Sequence, residues 1–200
     1  ILLLINPYLF GVNSIGDEIS QLIILRAFIT TFVIPVIGIL ILKPLGWVKS
    51  FAFDQKEERI APYIITGLFY VWVAVNTYND ANTPKAFASF SIGAAVALFV
   101  AFFVNVFSKI SAHAIGMGTL LGMVVIIFFL FEHSNMVYYS DILGRFELRL
   151  ADILIFVLLF TGMVGTSRLL LSRKDPVDLY GGFFIGFCSQ ILALRVMSLI

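Results

Sequence analysis

The residues best able to do chemistry in this chain lie in Ser167-Arg168-Leu169-Leu170-Leu171-Ser172-Arg173-Lys174-Asp175-Pro176-Val177-Asp178, a polar, cationic tract between two apolar segments. Charged side chains at the boundary of a membrane helix cost free energy unless they are partnered, so they mark a candidate functional site. Two further tracts carry matching groups: residues 54–59 supply Lys56 and Arg59, and residues 109–113 supply Lys109, Ser111 and His113. Several cations, a hydroxyl and an imidazole together suit an anion, most simply a phosphate. A plainer account of Lys43, Lys49, Lys56 and Lys109 is that they are snorkelling cations flanking the spans. That account is weaker for Arg168, about a turn inside its span. It is also weaker for His113, just ahead of an apolar helix whose first turn offers free amides and a positive dipole end.

Composition says what must position these groups. The chain is 60% hydrophobic and 12% charged, with a mean hydropathy of +1.04. A soluble domain is roughly half apolar and about a quarter charged, so the sequence reads as an integral membrane protein and water-soluble classes are excluded. Nothing points to nucleic acid or to a cofactor, and no metal-ligand spacing is present. The single Cys188 excludes an intrachain disulfide and reads as a small packed hydrophobe. The sequence opens at Ile1 without Met, so further residues are expected upstream, and a signal peptide is neither recognised nor excluded.

Apolar runs of roughly twenty residues cross about 30 Å of hydrocarbon as helices. Six are predicted, over residues 22–42, 60–78, 87–107, 114–131, 151–171 and 179–200, and residues 1–12 read as the tail of an earlier, truncated span. The expectation is one all-α, polytopic bundle spanning residues 1–200, since a barrel would need strands of alternating polarity. Gly118 and Gly122 are four apart, as are Gly182 and Gly186, a spacing that serves close helix packing.

Alternate crossing sorts the loops. Residues 43–59, 108–113 and 167–178 fall on one side, here side A, and residues 79–85 and 132–150 on side B. Parity therefore brings the three polar tracts to one face. On side B, Phe146, Leu148 and Leu150 alternate with Glu147 and Arg149 and follow Tyr138-Tyr139, which reads as a surface segment in the interface. Glu132, His133 and Asp152 could cluster with Arg149 or Arg195, with charge pairing at helix ends the better account.

The three side-A tracts resemble the signature of the type 2 phosphatidic acid phosphatase (PAP2) superfamily, whose motifs read Lys-x6-Arg-Pro, Pro-Ser-Gly-His and Ser-Arg-x5-His-x3-Asp. The third aligns without gaps on Ser167-Arg168, Lys174 and Asp178, and the second appears as Ile110-Ser111-Ala112-His113. The first survives as Arg59-Ile60-Ala61-Pro62, with Ala52 where the family has its Lys. Tyr180-Gly181-Gly182-Phe183 and residues 109–122 look like Bacteroidetes-type PAP2-like membrane proteins, and the similarity covers residues 56–200. The resemblance implies that Arg59, Arg168, Ser111 and Lys174 bind phosphate, that His113 is the general acid, and that Asp178 orients a nucleophile.

The nucleophile position holds Lys174 instead of His. An ammonium has no lone pair for attack, and Asp178 nearby favours the charged form. His133 falls on side B, about a bilayer thickness from His113, and cannot substitute. The implied function is a pseudoenzyme on a lipid phosphatase fold: it keeps a phosphate or lipid-headgroup site, or serves as a structural subunit beside other membrane proteins. The alternative is an active lipid phosphate or diphosphate phosphatase using the Arg/His site. Side A carries Lys43, Lys49, Lys56, Arg59, Lys109, Arg168, Arg173 and Lys174, against Lys85, Arg145 and Arg149 on side B. The positive-inside rule then puts side A in the cytoplasm, at a bacterial inner membrane.

Overall fold

The computed structural model describes residues 18–47, 57–81, 83–108, 110–130, 136–140, 144–172 and 175–199. The truncated span expected over residues 1–12 lies outside them, as do Ala52, Lys56, Lys109, Glu132, His133, Arg173 and Lys174. Six helical segments are long and apolar enough to cross a membrane: Gln21–Leu42, Glu57–Asn79, Lys85–Phe107, Ala112–Leu130, Leu150–Leu171 and Pro176–Met197. They coincide with the six expected spans to within a few residues at each end. The exterior is rich in large apolar side chains such as Phe103, Phe129, Leu159, Met163 and Phe184, all exposed, whereas the interior holds Ala88, Ser89, Gly93, Ala94, Ala97 and Asn105. Small and polar inside, large and apolar outside, is the arrangement that lipid as solvent favours.

The first span comprises α1 (Glu18–Phe28), a π-helical turn (Ile29–Val33) and α2 (Ile34–Leu42). Pro35 causes the widening: it lacks an N–H, and its ring clashes with the carbonyl four residues back. The Ile34 amide reaches Ile29 O, five residues earlier. The Thr30 and Thr31 hydroxyls donate to Arg26 O (2.6 Å) and Ala27 O (2.7 Å). At the side-B end, Arg26 donates to Asn76 Oδ1 (2.9 Å) and lies over the Trp72 ring.

A 3-10 turn (Glu57–Arg59) leads into α3 (Ile60–Asn79), where Pro62 falls in the first turn and displaces no helical hydrogen bond. A short turn closed by Thr83 Oγ1 on Asp80 Oδ2 returns the chain as α4 (Lys85–Phe107), antiparallel to α3. Next come α5 (Ala112–Leu130), a two-stranded antiparallel hairpin of β1 (Met136–Ser140) and β2 (Gly144–Leu148), α6 (Leu150–Ser172) and α7 (Pro176–Leu199). The hairpin, with Tyr138 opposite Phe146, departs from the all-helical expectation. The Phe146–Leu150 alternation is the period-2 signal of a strand. At the start of α6, Asp152 Oδ2 accepts the Arg149 amide at 2.9 Å, capping its own helix.

The tightest seam joins α5 and α7, which run parallel from side A. The two glycine pairs interlock: a Cβ on Gly118 would strike the Phe183 carbonyl, and one on Gly186 would strike the Ile115 carbonyl. Gly182 faces Ala114 and the Ser111 carbonyl. Deeper in the bundle Gln190, 1% exposed, lies against Gly93 of α4 and Gly122 of α5, with Nε2 3.5 Å from Phe90 O. A carboxamide this deep in an apolar bundle is stabilised by such a partner and helps fix the rotation of three helices.

Candidate functional site

The α5–α7 seam places two helix starts side by side on side A. Ser111 stands at the N-cap of α5, its carbonyl accepting the Ile115 amide at 3.0 Å, and is itself buried to 2% exposure. Asp175 stands at the corresponding position of α7, accepting the Asp178 amide at 3.0 Å, with Pro176 opening the helix. The backbones are tied directly, Ser111 N donating to Asp178 O at 3.5 Å. The Asp178 carboxylate accepts a hydrogen bond from the Ser108 hydroxyl, at the end of α4. Asp178 therefore ties the α4–α5 connection to the start of α7.

Arg59 reaches the same cluster from the head of α3, its Nη1 donating to Ile110 O at 3.5 Å. Arg168 reaches it from α6, its Nη2 lying 2.6 Å from His113 Nε2. A guanidinium has donors only, so an imidazole nitrogen that bonds it does so as an acceptor. Ser167 takes no part, its hydroxyl returning to Met163 O of its own helix at 2.7 Å. Four residues proposed for phosphate or proton chemistry, Arg59, Ser111, His113 and Arg168, thus meet at one end of the bundle with Asp178.

No family model, curated protein or solved structure matches this chain. Three helix starts, those of α3, α5 and α7, lie at side A; Pro62 and Pro176 bring no N–H and Asp175 O takes the Asp178 amide, so the free first-turn amides are chiefly those of α5. Two guanidiniums flank them, and His113 offers an imidazole on the exposed rim. This arrangement favours an anion with several oxygens. Among the described residues no group of three or more His, Cys, Asp or Glu is gathered as metal ligands.

Three participants escape a motif-based reading. Ser108 is one, since nothing in sequence distinguishes it from a span-end serine. Glu58 is another, a carboxylate buried in the 3-10 turn next to Arg59 in sequence, and its position at a helix start was the available signal. The third is Tyr63, one turn after Arg59, only 9% exposed, packed with Ala97, Ala101, Ile110 and Ile115. Its hydroxyl is buried with no hydrogen-bond partner among the described residues. An unsatisfied buried hydroxyl costs about 1–3 kcal/mol, so it invites a functional account.

Proposed function

We propose that this protein is a PAP2-like membrane protein that holds the phosphate of a lipid headgroup on side A and does not hydrolyse it. The observation that carries this reading is the Arg168–His113 pair, 55 residues apart in the chain and 2.6 Å apart in space. Beside it stand Arg59 and the starts of α5 and α7. Phosphate oxygens accept from guanidiniums and helix-start amides, and charge-assisted bonds of this kind are about twice as strong as neutral ones.

The nucleophile position argues against turnover. Lys174 at the nucleophile position of the resembled motif, cationic at neutral pH, adds attraction for phosphate without a lone pair for attack. On this reading side A faces the cytoplasm of a bacterial inner membrane, following the charge excess.

The test is an equilibrium measurement with the full chain in phosphatidylcholine nanodiscs. Phosphatidic acid is expected to bind in preference to phosphatidylcholine. Arg168→Gln, losing a charge-assisted bond of about 1.5–3 kcal/mol, weakens binding roughly tenfold or more. Phosphatidic acid, phosphatidylglycerol phosphate and undecaprenyl diphosphate should release no phosphate over hours. Release that is abolished by His113→Ala would overturn the non-hydrolytic reading and leave a working phosphatase in its place.

A further inference from the structure

A cavity of about 260 Å³ lies inside the bundle directly beneath the side-A cluster, walled by the first span and by α3, α4 and α5. It begins beside the residues that hold the cluster. Tyr63 follows Arg59 by one turn of α3, and residues four apart share a helix face. Ala112 and Gly116 flank His113 on α5, and both are exposed as well as lining the cavity, so its mouth opens there. From this mouth the cavity runs towards Thr119 and Val73. Thr119 lies about 10 Å of helix beyond Ala112.

The lining decides what chemistry fits. Three of its hydroxyls are turned back to their own helices: Thr31 to Ala27 O, Ser91 to Phe87 O and Thr119 to Ile115 O. They offer nothing to a guest, so the walls are apolar in effect. Two tyrosines are the exceptions: Tyr63, a buried donor without a partner among the described residues, at the end nearest the cluster, and Tyr70, two turns deeper on α3. A largely apolar chamber with a tyrosine hydroxyl at its neck matches an amphiphile that is apolar along most of its length and carries an oxygen at one end. A cavity of about 150 Å³ already holds a benzene ring, and this one is larger and elongated. One hydrocarbon chain fits that shape better than a compact ring.

We propose that this chamber takes one hydrocarbon chain of the lipid whose phosphate is held on side A, with the Tyr63 hydroxyl donating to an oxygen where that chain joins the headgroup. The inference rests on the headgroup reading above and deepens it. The protein then recognises a whole phospholipid, measuring phosphate and chain together, rather than a free phosphate.

The experiment uses the full chain in phosphatidylcholine nanodiscs and phosphatidic acid bearing a photoreactive diazirine in one acyl chain. Inorganic phosphate and glycerol phosphate serve as chain-free probes. Expected are adducts on the α3, α4 and α5 residues that line the chamber, with chain-free probes binding at least tenfold more weakly than the lipid. Gly116→Phe should reduce lipid binding about tenfold while leaving glycerol phosphate binding within twofold. A Cβ there meets nothing within 4 Å, so the fold tolerates the change. Tyr63→Phe deletes one unpartnered oxygen, keeps the fold, and should weaken lipid binding several-fold with the same insensitivity of glycerol phosphate. If lipid binding depends on Arg168 but neither variant alters it, and adducts map to the outer surface, the chamber proposal is wrong and the headgroup reading stands. If phosphatidic acid shows no Arg168-dependent preference over phosphatidylcholine, the headgroup reading fails and this inference with it, even where adducts fall in the chamber.

Discussion

Helices α6 and α7 both begin or end at the side-A cluster, yet they are held in opposite ways. The α7 helix is locked to α5 along its length by glycine-to-backbone contacts, so little but main chain separates them. The α6 helix is anchored at its side-B start, where Leu150, Ile153 and Val157 pack with Met123, Val124 and Ile127 of α5. Towards side A its contact with the bundle narrows: Gly165 is buried against Phe183 and Leu179 of α7, beyond it Leu170 and Leu171 are more than 80% exposed, and Arg168 bridges back to His113. The contrast teaches how the cluster is divided. Ser111, His113 and Asp178 are placed by a rigid seam, whereas Arg168 is delivered by a long side chain from a loosely packed arm. A guanidinium on such an arm can leave the imidazole for an anion without disturbing the core.

The sharpest way to break this comparison is Gly186→Leu. The added atoms would meet the Ile115 and Gly118 backbones, which cannot move aside singly. Overpacking against main chain is expected to cost on the order of 3 kcal/mol or more, seen as loss of the folded species in denaturant titration. A smaller effect is expected from Ser108→Ala, which removes the hydroxyl bonded to Asp178 and should cost about 1–2 kcal/mol. Asp178→Asn keeps an acceptor there and should retain most of that stability, so equal losses in both would deny the tie its role.

Asp152→Ala should loosen only the start of α6, by about 0.5–1 kcal/mol, read as faster amide exchange in its first turn with the α5–α7 seam unchanged. Gly162→Leu is the control at the bottom of the scale. A Cβ there meets nothing within 4 Å, so stability should change by less than about 0.5 kcal/mol. A loss like that of Gly186→Leu would mean that α6 is packed as tightly as α7, and the comparison would fail.

The spans were legible because crossing a bilayer is a one-dimensional requirement. Length and apolarity along the chain suffice, and the six segments emerged within a few residues. Parity then brought residues 54–59, 108–113 and 167–178 to one face without any knowledge of packing. The β1–β2 hairpin was less legible because its alternation is short and lies among aromatic residues equally suited to an interface. The partner of Asp178 was not legible at all. Motif spacing relates it to position 174, which lies outside the described residues, whereas the bond to its carboxylate comes from Ser108, in a tract 70 residues earlier.

What the amino-acid sequence determined by itself is the six spans among the described residues and their order, with the loops that parity assigns to each end. Each follows from local apolar length and from counting crossings. Only the tertiary structure decided which groups touch. Helix rotation and tilt are set by close contacts such as Gly118 on Phe183 and Gly186 on Ile115, and a rotation of a few tens of degrees moves a side chain from the cluster to lipid. The same contacts decided that His113 meets Arg168 and that a chamber with the buried Tyr63 hydroxyl at its neck opens beneath them. These are properties of several helices at once, and no one segment carries them.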